Sequence, residues 1–298
     1  MYLGSIITDN GNVSDDLQAE IRKKEKKLNK FFAFITQNQN APLEVKEKVL
    51  ESCIVSAVLN NCESWGNANL KSLELKYKKA LKHLLGIRKS TCNEFPYVEL
   101  AKPTITSQVH KRQLTFFRQC LVGDDLPMQK YIIKQAVDSR CSFINHYINL
   151  DLKYTKPEDI STESLYRMKQ SIEKKAANGK SRYKSYLTMN PILSRPNIYN
   201  RYIPTYKLLP VIRLRTVSHN LEIEKARHTP QHIPQEQRLC SCGEMEDEQH
   251  FLLHCNQYTH IREKYDLHQL PFHQQLDNIH TPDFIYELSK CRDIYLPK

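Results

Sequence analysis

The 298-residue chain predicts a mainly α protein: a compact helical unit opened by a short strand, a helical linker and a small zinc-knuckle module. Three observations carry this. Apolar residues recur at helical spacing through most of the chain, strand character is confined to residues 2–8, and three cysteines and two histidines crowd between Cys240 and Cys255.

Tyr2, Leu3, Ile6 and Ile7 give a short apolar strand with no targeting character, as though the chain began inside a domain, and Asp9-Asn10-Gly11-Asn12 supplies turn chemistry. A helix follows from Ser14, its cap, with Leu17, Ile21, Leu28, Phe31, Phe32 and Ile35 on one stripe. Its other face carries Arg22, Lys23, Lys24, Lys26, Lys27 and Lys30, relieved only by Glu25. That face reads either as a solvated helix surface or as a phosphate-tracking surface formed by Arg22, Lys23, Lys26, Lys27 and Lys30. Pro42 opens the most apolar helix, with Leu43, Val45, Val49, Ile54, Val55, Val58 and Leu59, and Asn60-Asn61-Cys62-Glu63-Ser64-Trp65-Gly66 brings the single Trp. A third amphipathic helix over residues 70–85 stops at Gly86. The unit is expected to span residues 1–120.

Residues 121–180 predict a helical linker. A helix starts at Pro127 and runs through Tyr131, Val137, Ile144 and Tyr147; residues 151–164 form a polar connector, and residues 165–177 a basic helix ended by Asn178-Gly179. Residues 181–238 are basic and aromatic together, with Arg182, Tyr183, Tyr186, Tyr199, Tyr202 and Tyr206, and with prolines at 191, 196, 204 and 210 keeping the segment extended or turning. Tyr and Arg stack on bases when exposed, whereas Tyr is also common at half-buried positions; the sequence leaves both readings open. A helix over residues 208–221 carries Arg213 and Arg215, and Arg227 and Arg238 lead into the Cys/His run.

Residues 239–265 form the knuckle. Zinc takes four soft or borderline ligands in a tetrahedron, and Cys240, Cys242, His250 and Cys255 supply them as C-x-C-x7-H-x4-C. The first gap is shorter than usual. On an unbroken helix His250 and Cys255 would point ~140° apart, while His254 would share the face of His250. The fourth ligand is therefore Cys255, with the helix bent or ended near Leu253, or His254; the x4 gap favours Cys255. Tyr258 and Arg262 close the run. The tail, residues 266–298, has His268, His273 and His280 without a ligand interval.

The order Tyr2-Leu3-Gly4-Ser5-Ile6-Ile7, the basic helix bearing Ile21, Cys62-Glu63-Ser64-Trp65, Leu84-Leu85-Gly86-Ile87-Arg88, Lys111-Arg112-Gln113-Leu114-Thr115-Phe116-Phe117 and the terminal Cys/His knuckle resembles the end of the palm, the thumb and the C-terminal knuckle of non-LTR (LINE-type) retrotransposon reverse transcriptases. The resemblance implies an RNA-directed DNA polymerase fragment that holds template RNA and target DNA. It implies a structural zinc, and a ribonucleoprotein in nucleus and cytoplasm. Contacts to nucleic acid would come from the α-helical basic face and from Arg182, Tyr183, Tyr186, Arg213, Arg215, Arg227, Arg238, Tyr258 and Arg262.

The polymerase carboxylates of that family, which hold Mg²⁺, sit on a Tyr-Ala-Asp-Asp type turn that would precede Tyr2, and no such tetrapeptide occurs. Asp15-Asp16 suits a helix start and Asp124-Asp125 a loop. Pro282-Asp283 and Glu287 do not make a nuclease, because about forty residues after Cys255 are too few for an active-site sheet. The chain alone is expected not to polymerise DNA. Only 7 glycines, scattered singly, exclude phosphate-loop and dinucleotide readings, and no small-molecule substrate is expected. A formal charge of +11 favours polyanionic partners, RNA and DNA. Nine irregularly spaced cysteines and no long apolar run predict a reducing, intracellular compartment without membrane contact. The alternative is a helical protein-interaction module in which zinc only staples the fold.

Overall fold

In the computed structural model, Ile21, Leu28 and Phe31 recur at helical spacing and are all at most 1% exposed, so the first periodic stretch is helix α1 (Val13–Gln37) with one face buried. The structure describes residues 13–122, 127–138, 142–227, 233–265, 272–278 and 280–295. The expected strand over residues 2–8, its turn, and the Asp124-Asp125 loop lie outside these residues.

Helix α2 (Leu43–Lys48) begins one residue after Pro42, as expected, and runs through a π-helical stretch, Val49–Val55, into α3 (Ser56–Leu59). Helix α4 (Lys71–Leu84) ends before Gly86, whose φ of 62° favours glycine. A Cβ there would sit 2.6 Å from a methyl carbon of Leu209. Helices α5 (Phe95–Leu100), α6 (Ile105–Val122), α7 (Pro127–Asp138), α8 (Ser142–Lys153) and α9 (Pro157–Ala177) follow. The connector expected up to residue 164 is instead the start of α9: Pro157 fits the first helical turn and Glu158 and Asp159 suit its dipole. The single helix expected from Pro127 is two, α7 and α8.

The proline-punctuated stretch is also more helical than expected. Helix α10 (Ser181–Met189) precedes the prolines, and α11 (Thr205–Arg215) accommodates Pro210 inside it. The helix ends at Arg215 rather than near Asn220, and just beyond it Val217 takes a left-handed φ of 51°. Helices α12 (Glu222–Lys225), α13 (Thr259–Tyr265), α14 (Phe272–Gln275) and α15 (Thr281–Tyr295) complete the chain. Among the described residues the one β contact is an isolated antiparallel bridge, Leu239 to Met245, so the fold is mainly α. No described helix is long and apolar enough to cross a membrane.

Two compact units interleave along the sequence: Met1–Phe34, Lys48–Ala80 and Lys102–Met168 form the first; Ile35–Glu47, Leu81–Ala101 and Lys169–Lys298 the second. They cut across the consecutive segments read from the sequence because α1, α4 and α9 each contribute residues to both. In the first unit, Trp65 is 1% exposed within a loop fastened by two side chains. Buried Gln113 donates to the carbonyls of Cys62 and Gly66, at 3.2 and 3.0 Å, and Tyr147 donates to Glu63 O at 2.6 Å. These bonds satisfy carbonyls that a buried loop would otherwise leave orphaned.

The second unit packs Val211, Leu214, Phe251, Leu252, Tyr258, Ile285 and Leu288 into one core, with Cys240 and Cys255 as members. At its centre of polarity lies Glu99, fully buried. Its carboxylate accepts from Tyr186 at 3.0 Å, Tyr199 at 2.7 Å, Asn190 at 3.0 Å and Arg215 Nε at 3.1 Å. A buried charge is tolerated only when paired and hydrogen-bonded, and this one is both.

Candidate metal centre

The knuckle is built by a tight reversal followed by an irregular helical turn. Glu246 N donates to Arg238 O, Cys240 N to Glu244 O at 2.7 Å, and Gly243 N to Cys240 O at 2.9 Å; Gly243 supplies the φ of 94° that closes the turn. The short C-x-C gap works because the backbone reverses within the five residues from Cys240 to Glu244. Asp247 Oδ1 then accepts from His250 N at 2.7 Å, starting the next turn.

That turn, His250–His254, is π-helical and closes with Cys255 N donating to His250 O at 2.8 Å. A π turn is wider than an α turn, and Cys255 itself leaves it in an extended conformation, with ψ of 119°. The angular conflict between His250 and Cys255 disappears for this reason, and His254 is left exposed. The ligand atoms of Cys240, Cys242, His250 and Cys255 all lie within 4.8 Å of one another. The two buried sulfurs, of Cys240 and Cys255, are 3.7 Å apart, and Cys242 Sγ is 3.2 Å from His250 Nε2. With Zn–S bonds of ~2.3 Å, two thiolates of a tetrahedral site stand ~3.8 Å apart, so the separation suits a shared ion and is far too long for a disulfide.

The donor set fits zinc. Three thiolates and an imidazole fill four positions and leave none for water or substrate, the pattern of a structural site. Burial pushes the Cys255 thiol up to about 12, so without an ion it would hold its proton. Zinc bound by these four residues would supply the charge that keeps such thiols ionised and would cross-link the hairpin to the turn. Among the described residues no second group of three or more Cys, His, Asp and Glu side chains has this geometry. His273 and His280 belong to none, and His268 lies outside the described residues.

Residues that the sequence did not single out brace the centre. Arg292 of α15 donates to both oxygens of Glu246, at 2.6 and 2.7 Å, and Glu246 also accepts from Glu222 N at 2.6 Å. Buried His219 pairs its Nε2 with Glu248 Oε1 at 2.9 Å. An Asp three residues ahead of His250 was a readable capping signal; the reach of Arg292 across 46 positions was not.

The side chains expected to contact nucleic acid divide sharply. On α1, Arg22, Lys23, Lys26 and Lys30 are exposed. Lys27 is not free: its Nζ donates to Ala57 O at 2.9 Å, and buried Lys24 donates to Asn60 O at 2.8 Å. Both cations cover carbonyls at the C-terminal end of α3, where the helix dipole favours positive charge. Arg213 is exposed, with Nε donating to Gly86 O at 3.2 Å.

The expected stacking platform is only partly on the surface: Tyr202 and Tyr206 are exposed, while Tyr183, Tyr186 and Tyr199 are buried. Tyr183 is 8% exposed and donates to Glu94 at 3.0 Å; Tyr186 is fully buried and stacks on Phe95. Tyr258, 1% exposed, packs edge-on against Phe251. Arg215 is the cation of Glu99, and Arg238 is buried, donating to Ile233 O and Ile223 O. Arg182 and Arg227 both pair with buried Glu224. Arg262 donates to Cys255 O at 2.5 Å and so orients the last ligand's backbone. Apart from Tyr258, which packing alone buries, these side chains depart from expectation for one reason: carboxylates and carbonyls, most of them distant in sequence, claim their donors. No family model, curated protein or solved structure matches the chain.

Proposed function

We propose that the chain is a non-catalytic nucleic-acid-holding fragment of the kind its resemblance implies: thumb, linker and zinc knuckle of a LINE-type reverse transcriptase. The observation that carries this is the outer face of α1. Arg22, Lys23, Lys26 and Lys30 lie within ~100° of one another around the helix. Among the described residues, no carboxylate pairs with Lys23, Lys26 or Lys30, whereas Lys24, Lys76, Lys102 and Lys111 each have an acidic partner. Unneutralised positive charge on a rigid helix is what a phosphate backbone binds, and the counterions it releases make such binding salt-dependent.

The metal centre serves this role indirectly. In this reading zinc, held by Cys240, Cys242, His250 and Cys255, fixes the second unit's core and contributes no chemistry to a substrate. Binding of single-stranded RNA and DNA by the purified chain, followed by fluorescence anisotropy at rising salt, tests the proposal. Steep weakening with salt supports it; no binding at about 20 mM salt, where phosphate contacts are strongest, refutes it.

A second reading, a helical interaction protein with a purely structural zinc, is favoured by the burial of Tyr183, Tyr186 and Tyr258. It differs in outcome: such a protein binds neither nucleic acid at low salt.

A further inference from the structure

The second unit contains a cavity of about 270 Å³ between α11, the loop after it, and α15. Its wall includes Tyr206, Arg213, Asn220, Tyr286, Ser289 and Lys290, and no carboxylate among the described residues lines it. Two aromatic rings stand at its edge: Tyr206 and Tyr286 meet at 66° with centroids 5.3 Å apart, and Tyr206 is 51% exposed. Lys290 Nζ lies 4.7 Å over the Tyr286 ring. Arg292, also in the wall, is already neutralised by Glu246.

Positive charge accumulates here without an answering acid. Arg88 donates to Asn220 Oδ1, and its Nη1 is buried without a hydrogen-bond partner among the described residues. Partial desolvation of the Arg213 guanidinium first, then the nearby Arg88 charge, push it below its usual value, although the residue as a whole is exposed. In the wall itself Arg213 presents its donors as a planar fork that matches phosphate, and Arg88 adds positive charge behind the wall through Asn220. The exposed ring of Tyr206 beside such a fork suits a flat base. The volume lies near the lower end of small-ligand cavities, ~300 Å³, enough for a base with one phosphate at its mouth and too small for a duplex.

We propose that this cavity is a nucleotide subsite: Arg213 and Lys290 take a phosphate, and Tyr206 with Tyr286 takes the attached base. The unit bound is either a free nucleoside monophosphate or one nucleotide of a single strand, with the same chemistry in both. The site shares no residue with the basic face of α1 and does not depend on the function proposed for that face.

The test is calorimetric titration of the zinc-loaded full chain with inorganic phosphate, a nucleoside 5′-monophosphate and a 5′-phosphorylated ten-nucleotide single strand. The variants are Arg213→Glu and Tyr206→Ala, both at exposed positions and neither a zinc ligand; retained zinc and helical circular dichroism verify the fold. Binding of the monophosphate or the strand, weakened at least about tenfold by each variant, is expected. A monophosphate that binds as tightly as the strand identifies a free nucleotide as the ligand; a strand that binds alone identifies a nucleotide within a chain. Charge reversal of Lys23, Lys26 and Lys30 should leave monophosphate binding unchanged. Binding of none of the probes, equal binding by the folded variants, or phosphate binding that a base does not improve would overturn the assignment.

Discussion

The sulfur of Cys255 stands 3.7 Å from that of Cys240, brought there by a π turn whose closing bond runs from Cys255 N to His250 O. This settles which side chain completes the cluster. Cys255→Ser should weaken zinc affinity by more than ~100-fold, beyond the loss of an outer hydrogen-bond partner, while His254→Ala should leave it unchanged. Competition with a chromophoric chelator measures both; equal effects of the two substitutions would remove Cys255 from the site.

Because Cys240 and Cys255 belong to the core that includes Phe251, Leu252 and Tyr258, metal removal should loosen packing well beyond the knuckle. Structural zinc contributes on the order of 10 kcal/mol in small domains. Chelation is therefore expected to abolish near-ultraviolet dichroism from Tyr258 and its neighbours and to expose the second unit to proteolysis, with reversal on adding zinc. Unchanged spectra after complete metal removal would count against a structural ion.

Glu99 and Arg215 make the most consequential buried ion pair, with side chains 0% and 4% exposed. Arg215→Met leaves the carboxylate buried without its cation and should cost ~3–5 kcal/mol, whereas Arg22→Met at an exposed site should stay within ~0.5 kcal/mol. Urea unfolding of both variants supplies the comparison. A small effect at Arg215 would mean that Tyr186, Tyr199 and Asn190 alone suffice to hold the charge.

In the first unit, His110 and His146 meet with ring centroids 5.2 Å apart. Burial first, then the charges of His146 and Lys153, lower His110 from 6.5 to about 4. As pH falls below 6.5 the unfolded chain takes up this proton before the folded one does. Stability present above that value is therefore lost between pH 6.5 and 4, by at most ~3 kcal/mol. His110→Gln should flatten that part of the pH profile relative to the parent, a difference that remains interpretable while zinc ligands titrate in both proteins. Parallel profiles for the two would show that His110 does not titrate abnormally.

The helices with a strong apolar period, α1 and α4, were readable from the sequence because burial of one stripe is a local property. The four members of the Cys/His cluster were readable too, since their residue types suit few other purposes at that spacing. The x4 gap already favoured Cys255 over His254, and the cluster includes it; the π turn that brings it there was not readable from the spacing. Tyr183 and Tyr186 pattern like surface aromatics beside basic residues, yet Glu94 and Glu99, 89 and 87 positions away, draw their hydroxyls inward. Glu99 carried a faint signal of its own, as one acid among Phe95, Pro96, Tyr97, Val98 and Leu100. The same logic separates Lys24 and Lys27 from their neighbours on α1: their targets are carbonyls at the end of another helix, which no charge count reveals.

The proposed grip of the outer face of α1 on a nucleic-acid backbone is tested by the salt dependence of single-stranded RNA binding by the parent chain and by the triple variant Lys23→Glu, Lys26→Glu, Lys30→Glu. Three lost phosphate contacts should reduce the slope of log affinity against log salt by ~2, with weaker binding at low salt and zinc content and thermal stability retained. A folded, zinc-loaded triple variant that binds with the parent's affinity and slope would show that this face does not hold the backbone.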